Sequence, residues 1–168
     1  IGSTASLPTG QIEKAMELSP SSSYVETSIP LTSSFSVSTW FKKPLLNSGS
    51  RYFVLGAMAA GGDLLYLDRG TNWRWGVYNA SFGSSVLGTF SFNSLDNNWH
   101  HMVLIHANNQ TKLFIDGELK DTINLQATGV LKYIGTSYDD INSSNPQGFR
   151  APLDEFMVFD GELSQSQI

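Results

Sequence analysis

The sequence predicts an all-β fold, a sandwich or barrel of short strands, and three observations carry the prediction. Apolar residues alternate with a period of two along short runs. Gly, Asn, Asp, Ser and Pro separate the runs at spacings that leave no room for a long helix. The longest pair of runs, Trp99 to Gly117, has apolar side chains on both faces of each arm, as strands do that are central in a sheet covered on each side.

In order along the chain, Ile1 to Thr9 is an irregular polar lead. Gln11 to Leu18 looks helical at first, but Ile12, Lys14, Met16 and Leu18 alternate with Glu13, Ala15 and Glu17, and Pro8 and Pro20 bracket it closely, so it is placed as a strand. Ser19 to Ser23 is a turn, Tyr24 to Ser28 a short strand, and Ile29 to Ser33 a loop around Pro30. Ser34 to Lys43 is a strand with Phe35, Val37 and Thr39 on one face and Ser36 and Ser38 on the other, closed by Trp40 and Phe41. Pro44 to Ser50 is a loop, Arg51 to Met58 a strand, Ala59 to Gly62 a turn and Asp63 to Arg69 a strand; Asn72 to Asn79 and Ser85 to Phe92 follow. In the central hairpin His101, Val103 and Ile105 alternate with Met102 and Leu104, Asn108 to Thr111 makes the turn, and Leu113 and Ile115 alternate with Lys112, Phe114 and Asp116. Asp116-Gly117 supplies the next tight turn, then Glu118 to Leu125, Val130 to Thr136 and a strand from about Phe149 to Phe159 complete the set.

A chain of 168 residues suits one domain, able to bury roughly 70 per cent of the surface its unfolded form exposes. With no cysteine, neither disulfides nor thiolate metal sites hold it. Charged residues are 15% of the whole and the net charge is -5; the ten Lys and Arg are scattered and form no basic stripe, which argues against a nucleic-acid partner. No apolar run approaches the roughly 20 residues of a spanning helix, so no membrane insertion is expected. The abundance of Ser, Thr, Asn and Gly is common in secreted or surface β-proteins. The chain begins without Met or a leader and reads as a piece of a longer protein.

Four phrases carry a family resemblance: SFSVSTWFK from Ser34, NNWHHMVLI from Asn97, KLFIDGELKDT from Lys112 and APLDEFMVFDGELSQSQI from Ala151, with GQIEKAMELSPSSSYVE from Gly10 before them. Together, in this order and spacing, they resemble the laminin-G-like, concanavalin A-like lectin/glucanase jelly-roll domains, over nearly the whole chain. The resemblance implies a single jelly-roll domain over 1-168, with two antiparallel sheets of about six or seven strands and the terminal strands paired. It also implies a mostly non-catalytic class with one branch of glycoside hydrolases.

That branch is tested on residues. A retaining glycosidase needs two carboxyls about 5 Å apart with one raised in pKa. The E-x-D-x-x-E pattern of hydrolases with this fold is missing, the adjacent Asp154 and Glu155 fall on opposite faces, and the one i, i+4 pair, Glu13 and Glu17, lies on the first strand, which the family places at the edge of the sandwich. No enzyme is expected. His101 is expected in the core with a satisfied ring nitrogen, and His100 and His106 as ordinary strand residues.

Two stretches offer ligand chemistry. In TNWRWGVYN, Trp73 and Trp75 share a face with Val77 while Arg74 and Tyr78 share the other. Either the indoles stack on a sugar, with Arg and Asp side chains holding its hydroxyls, or they are core and Arg74 and Tyr78 point out, with Asp68, Arg69 and Arg51 beside them. The loop SYDDINSSN, holding Tyr138, Asp139 and Asp140, lies close in sequence to Asp154, and its hard oxygen ligands suit Ca²⁺; a hydrated surface loop reads equally well. Three functions fit: a carbohydrate-binding or adhesin module, monomeric and taking a glycan or cell-surface ligand outside the cell; a protein- or peptide-binding laminin-G-like module; and a structural spacer. Fold alone does not choose among them.

Overall fold

The computed structural model describes residues 15–18, 23–43, 51–57, 63–68, 72–79, 84–89, 95–124, 129–136 and 148–168; between 51 and 89 the strands are described by backbone and register. They comprise β1 (Met16–Glu17), β2 (Val25–Leu31), β3 (Phe35–Lys42), β4 (Arg51–Ala57), β5 (Asp63–Asp68), β6 (Asn72–Asn79), β7 (Ser84–Thr89), β8 (Trp99–Ala107), β9 (Gln110–Ile115), β10 (Glu118–Ile123), β11 (Gly129–Ile134) and β12 (Pro152–Asp160). Two six-stranded antiparallel sheets result, in the orders β1-β12-β3-β8-β9-β10 and β2-β11-β4-β5-β6-β7. The terminal strands pair, with Met16 opposite Leu153, and β1 with Glu17 lies at a sheet edge, both as the resemblance implied.

The core forms where the period-two faces meet. Phe35, Val37 and Phe41 of β3, Met102 and Leu104 of β8, Leu113 and Ile115 of β9 and Leu153 of β12 make one buried cluster with Leu131 and Ile134 of β11, and Val25, Ile29 and Leu31 of β2 pack against it. At roughly 1.5–3 kcal/mol for each large apolar side chain taken out of water, this seam between the sheets dominates the stabilisation. The turns follow the sequence: Asn108, Asn109 and Asp116 adopt positive φ (52°, 60° and 53°), which short polar side chains tolerate, and Gly117 follows at 79°.

β8 is apolar on both faces because both are covered. Its second face, Val103 and Ile105 with Phe114 of β9, forms a separate buried cluster roofed by Leu163 and Ile168 of the segment that follows β12. That segment is tied down at Ser36, whose Oγ donates to the Gly161 carbonyl at 2.8 Å and accepts from the Leu163 N–H at 3.0 Å. Lys112 pairs with Glu162 at 2.8 Å, and Gln165 Nε2 donates to the Gly117 carbonyl at 2.9 Å.

Two expectations are corrected. Pro30 does not end its strand: it lies opposite Val130, and β2 continues through it to Leu31, opposite Gly129. β2 is an edge strand, where the N–H that proline lacks is not needed for a ladder. His101 is not in the core between the sheets. It is half-buried on the outer face of its sheet, although its Nε2 is satisfied, as expected, by Ser38 Oγ at 2.8 Å. The core histidine is His106, on the face of Met102 and Leu104, 1% exposed, with Nδ1 3.0 Å from Thr111 Oγ1. Burial pushes the His106 pKa down, a backbone hydrogen bond at Gln110 opposing it.

Candidate functional site

The tryptophan strand is β6, between β5 and β7. Across its sheet Val25 lies opposite Ile134, Ile134 opposite Leu55, Leu55 opposite Leu65 and Leu65 opposite Trp75. Residues directly opposite in a ladder share a face. Ile134 is in the core between the sheets with Val25 against it, so this row has the parity of the core face. Trp73, two residues from Trp75 and opposite Leu67, shares that parity. β4 has a register shift between Phe53 and Leu55, so the rows before it have the opposite parity, Arg51–Asp68–Asn72 and Phe53–Tyr66–Arg74–Thr89, with Tyr78 opposite Ser85 further along. The backbone thus gathers Arg51, Asp68, Arg74 and Tyr78 on one face of three adjacent strands. Arg69, Tyr138, Asp139 and Asp140 lie outside the described residues.

At the β2 and β11 end of the sheet the same outer face is seen with its side chains. Glu26 pairs with Lys132 at 2.8 Å. Tyr24, 39% exposed, meets Tyr133 edge to face with ring centroids 5.7 Å apart.

The outer face of the other sheet carries a second group, which the sequence reading passed over by treating Trp40 as the end of a strand. Trp40 lies opposite His101, and their rings stack at 5.0 Å between centroids; Lys42 lies opposite Trp99 with Nζ 5.4 Å from the centre of its ring. The available signal was the alternation of Trp40 with Ser36 and Ser38, and of Trp99 with His101. Burial lowers the His101 pKa, the nearby Asp116 carboxylate opposing it. Asp116 Oδ1 accepts from the His101 backbone N–H at 2.9 Å, and Oδ2 is 2.8 Å from His100 Nδ1, whose other nitrogen is 3.1 Å from Asp96 Oδ1.

Asp154, the metal candidate that the described residues include, sits opposite Trp40, and its Oδ1 accepts the Glu155 N–H at 3.0 Å. Glu155 has φ 49° at a register shift, which breaks the simple alternation of this pair. Among the described residues no group of three His, Asp or Glu side chains is gathered for a metal. Burial raises the Glu17 carboxyl above its usual range; its sequence partner Glu13 lies outside the described residues.

The Laminin_G_3 family model, described as the Concanavalin A-like lectin/glucanases superfamily, matches residues 19–168. The chain belongs to this superfamily. Solved structures show the same jelly-roll sandwich. Domain 4 of AbnA, a GH43 extracellular arabinanase from Geobacillus stearothermophilus in complex with arabinotriose, is 22% identical, with TM-score 0.72 over 99% of this chain and 80% of that one. The binding domain of Paraclostridial Mosquitocidal Protein 1 is 20% identical, with TM-score 0.69 over 99% of this chain, which spans 44% of that domain. The ligand binding domain of botulinum neurotoxin serotype D, in complex with N-acetylneuraminic acid, is 22% identical, with TM-score 0.67 over 99% of this chain and 43% of that one. No curated protein sequence matches significantly.

Proposed function

We propose that the chain is a non-catalytic carbohydrate-binding module of an extracellular or cell-surface protein, taking a glycan on the outer face of the β2-β11-β4-β5-β6-β7 sheet. The observation that carries this is the register, which gives Arg51, Asp68, Arg74 and Tyr78 one parity and the Trp73–Trp75 pair the parity of Ile134 and the core. Guanidinium forks and a carboxylate would hold sugar hydroxyls, and a phenol would pack on the ring. Arg69 and Tyr138 would extend the surface. The Asp139–Asp140 loop, with Asp154, would hold a Ca²⁺ through hard oxygens. The relatives with bound arabinotriose and N-acetylneuraminic acid support a sugar as the ligand class, and the missing carboxylate pattern supports binding without hydrolysis.

A glycan array probed with and without Ca²⁺ tests the reading. Saturable binding to a defined glycan, weakened by Arg74→Ala, is expected, with reducing-sugar release at background. Binding to nothing on the array, or steady hydrolysis abolished by changing one Glu, would overturn it.

A further inference from the structure

The outer face of the β1-β12-β3-β8-β9-β10 sheet is divided in two. One half is sealed: Val103, Ile105 and Phe114 are 1%, 2% and 6% exposed beneath Leu163 and Ile168. Trp40 and Trp99 stand outside that cluster and keep part of their surface open, and Met157, on the same face opposite Ser38, is 41% exposed. The open half is also equipped differently. Trp40 and Trp99 occupy diagonal positions on adjacent strands, roughly 7–8 Å apart, which is within reach of a single sugar ring or two joined ones. Between them lie the His101 imidazole, its Nε2 held by Ser38, and the Lys42 ammonium over the Trp99 ring.

The charges beside the indoles narrow the ligand. Asp116 is 51% exposed and Asp96 63%, and each anchors one nitrogen of His100. A carboxylate offers about four acceptor sites, so each has capacity left for a sugar hydroxyl. The Lys42 ammonium over Trp99 is outnumbered by these two carboxylates, so the surface has no net positive charge to hold an anionic glycan, while the carboxylates accept hydroxyls from a neutral one. His101, lowered by burial, is a neutral ring at neutral pH and adds one donor or acceptor without charge.

We propose that this open half is a second carbohydrate subsite, which takes one or two neutral hexopyranose units stacked on Trp40 and Trp99 with hydroxyls directed to His101 and Asp116. The module would then be two-faced, with a ligand surface on each sheet, able to hold two sugar chains or two stretches of one. The subsite goes beyond the function proposed above and does not require the Arg74 face.

The test is a titration of the nitrogen-15-labelled chain with cellobiose, maltose and lactose in turn, following the indole N–H signals of its four tryptophans, assigned with Trp40→Phe and Trp99→Phe. Saturable movement of the Trp40 and Trp99 signals with at least one disaccharide is expected, undiminished in Arg74→Ala and weakened about tenfold or more in Trp99→Ala. His101→Ala, which keeps both indoles, should weaken it as well. Signals that stay still with all three sugars, or that move only with N-acetylneuraminic acid, would overturn the subsite. Binding lost in Arg74→Ala and kept in Trp99→Ala would overturn it while leaving the first face standing; the first face itself is tested separately, by the effect of Arg74→Ala on glycan-array binding.

Discussion

Gly135, just past β11, has φ 87°, and a Cβ placed there would come within 2.4 Å of Leu18 Cδ1. Gly135→Ala therefore carries two costs. A left-handed backbone at a residue with a Cβ costs roughly 1–2 kcal/mol. Leu18 is 2% exposed in the core, so its Cδ1 must shift among packed neighbours, and forcing a methyl against such a side chain costs about 1–3 kcal/mol. The expected loss is about 2–5 kcal/mol, and for a chain of 168 residues each kcal/mol lowers the melting temperature by roughly 2–4 °C. Thermal and urea melts read the total, and a double-mutant cycle separates its parts. Leu18→Ala alone costs about 2–5 kcal/mol by emptying core volume, yet it makes room for the new methyl, so the double variant should be about 1–3 kcal/mol more stable than the sum predicts. A Gly135→Ala protein that melts within 2 °C of the parent, or strict additivity in the cycle, would refute the packing of β1 against the end of β11.

Three further outcomes follow. Ser36→Ala removes a hydroxyl that holds both Gly161 and Leu163; it should cost about 1–3 kcal/mol and speed hydrogen exchange in residues 161–168 ahead of the core, measured by mass spectrometry. His106 and His101 both have folded pKa values lowered by burial, so the unfolded chain binds more protons as pH falls below the ordinary histidine range. Their stabilisation is complete above about pH 6.5 and declines as pH drops from there through the folded values; melting curves from pH 7.5 to 5 should show the fall, and His106→Gln should flatten it. If the Asp139–Asp140 loop binds Ca²⁺, the melting temperature rises as Ca²⁺ passes through its Kd, following RT ln(1 + [L]/Kd); an unmoved curve between chelator and millimolar Ca²⁺ removes the metal from the account.

The sandwich was legible in the sequence because its central strands declare themselves. Leu104 and Leu113, or Val103 and Phe114, are opposite in the ladder and apolar on matching faces, so period-two alternation and the Asn108–Asn109 turn fix the hairpin register. The same two-faced pattern hid which side was the core. Parity correctly grouped His101 with Val103 and Ile105, but that face is apolar because Leu163 and Ile168 cover it, a contact between residues some 60 positions apart that alternation does not encode. Hence His101 was assigned to the core, and His106, read as an ordinary strand residue, is the histidine that lies there. Pro30 was misread for a related reason: whether proline ends a strand depends on whether that strand is at an edge, which is a property of the assembled sheet. For the candidate site the sequence supplied the pairing of Arg74 with Tyr78 against Trp73 with Trp75, and did not show which pair has the parity of the core; that parity came from the row from Ile134 through Leu55 and Leu65 to Trp75. The Trp40–Trp99 group was missed because its members lie on strands about 60 residues apart, joined by the β3–β8 ladder.

The central claim is that the β4-β5-β6 face binds sugar through Arg74 over inward tryptophans, and one paired measurement tests it most directly. Trp75→Ala and Arg74→Ala are melted side by side and titrated with the best glycan from the array. The account predicts that Trp75→Ala loses roughly 3–5 kcal/mol of stability through the cavity it leaves, while Arg74→Ala melts like the parent and binds at least about tenfold more weakly. A Trp75→Ala protein as stable as the parent but unable to bind, beside an Arg74→Ala protein that binds normally, would contradict it and make the indole face the ligand surface.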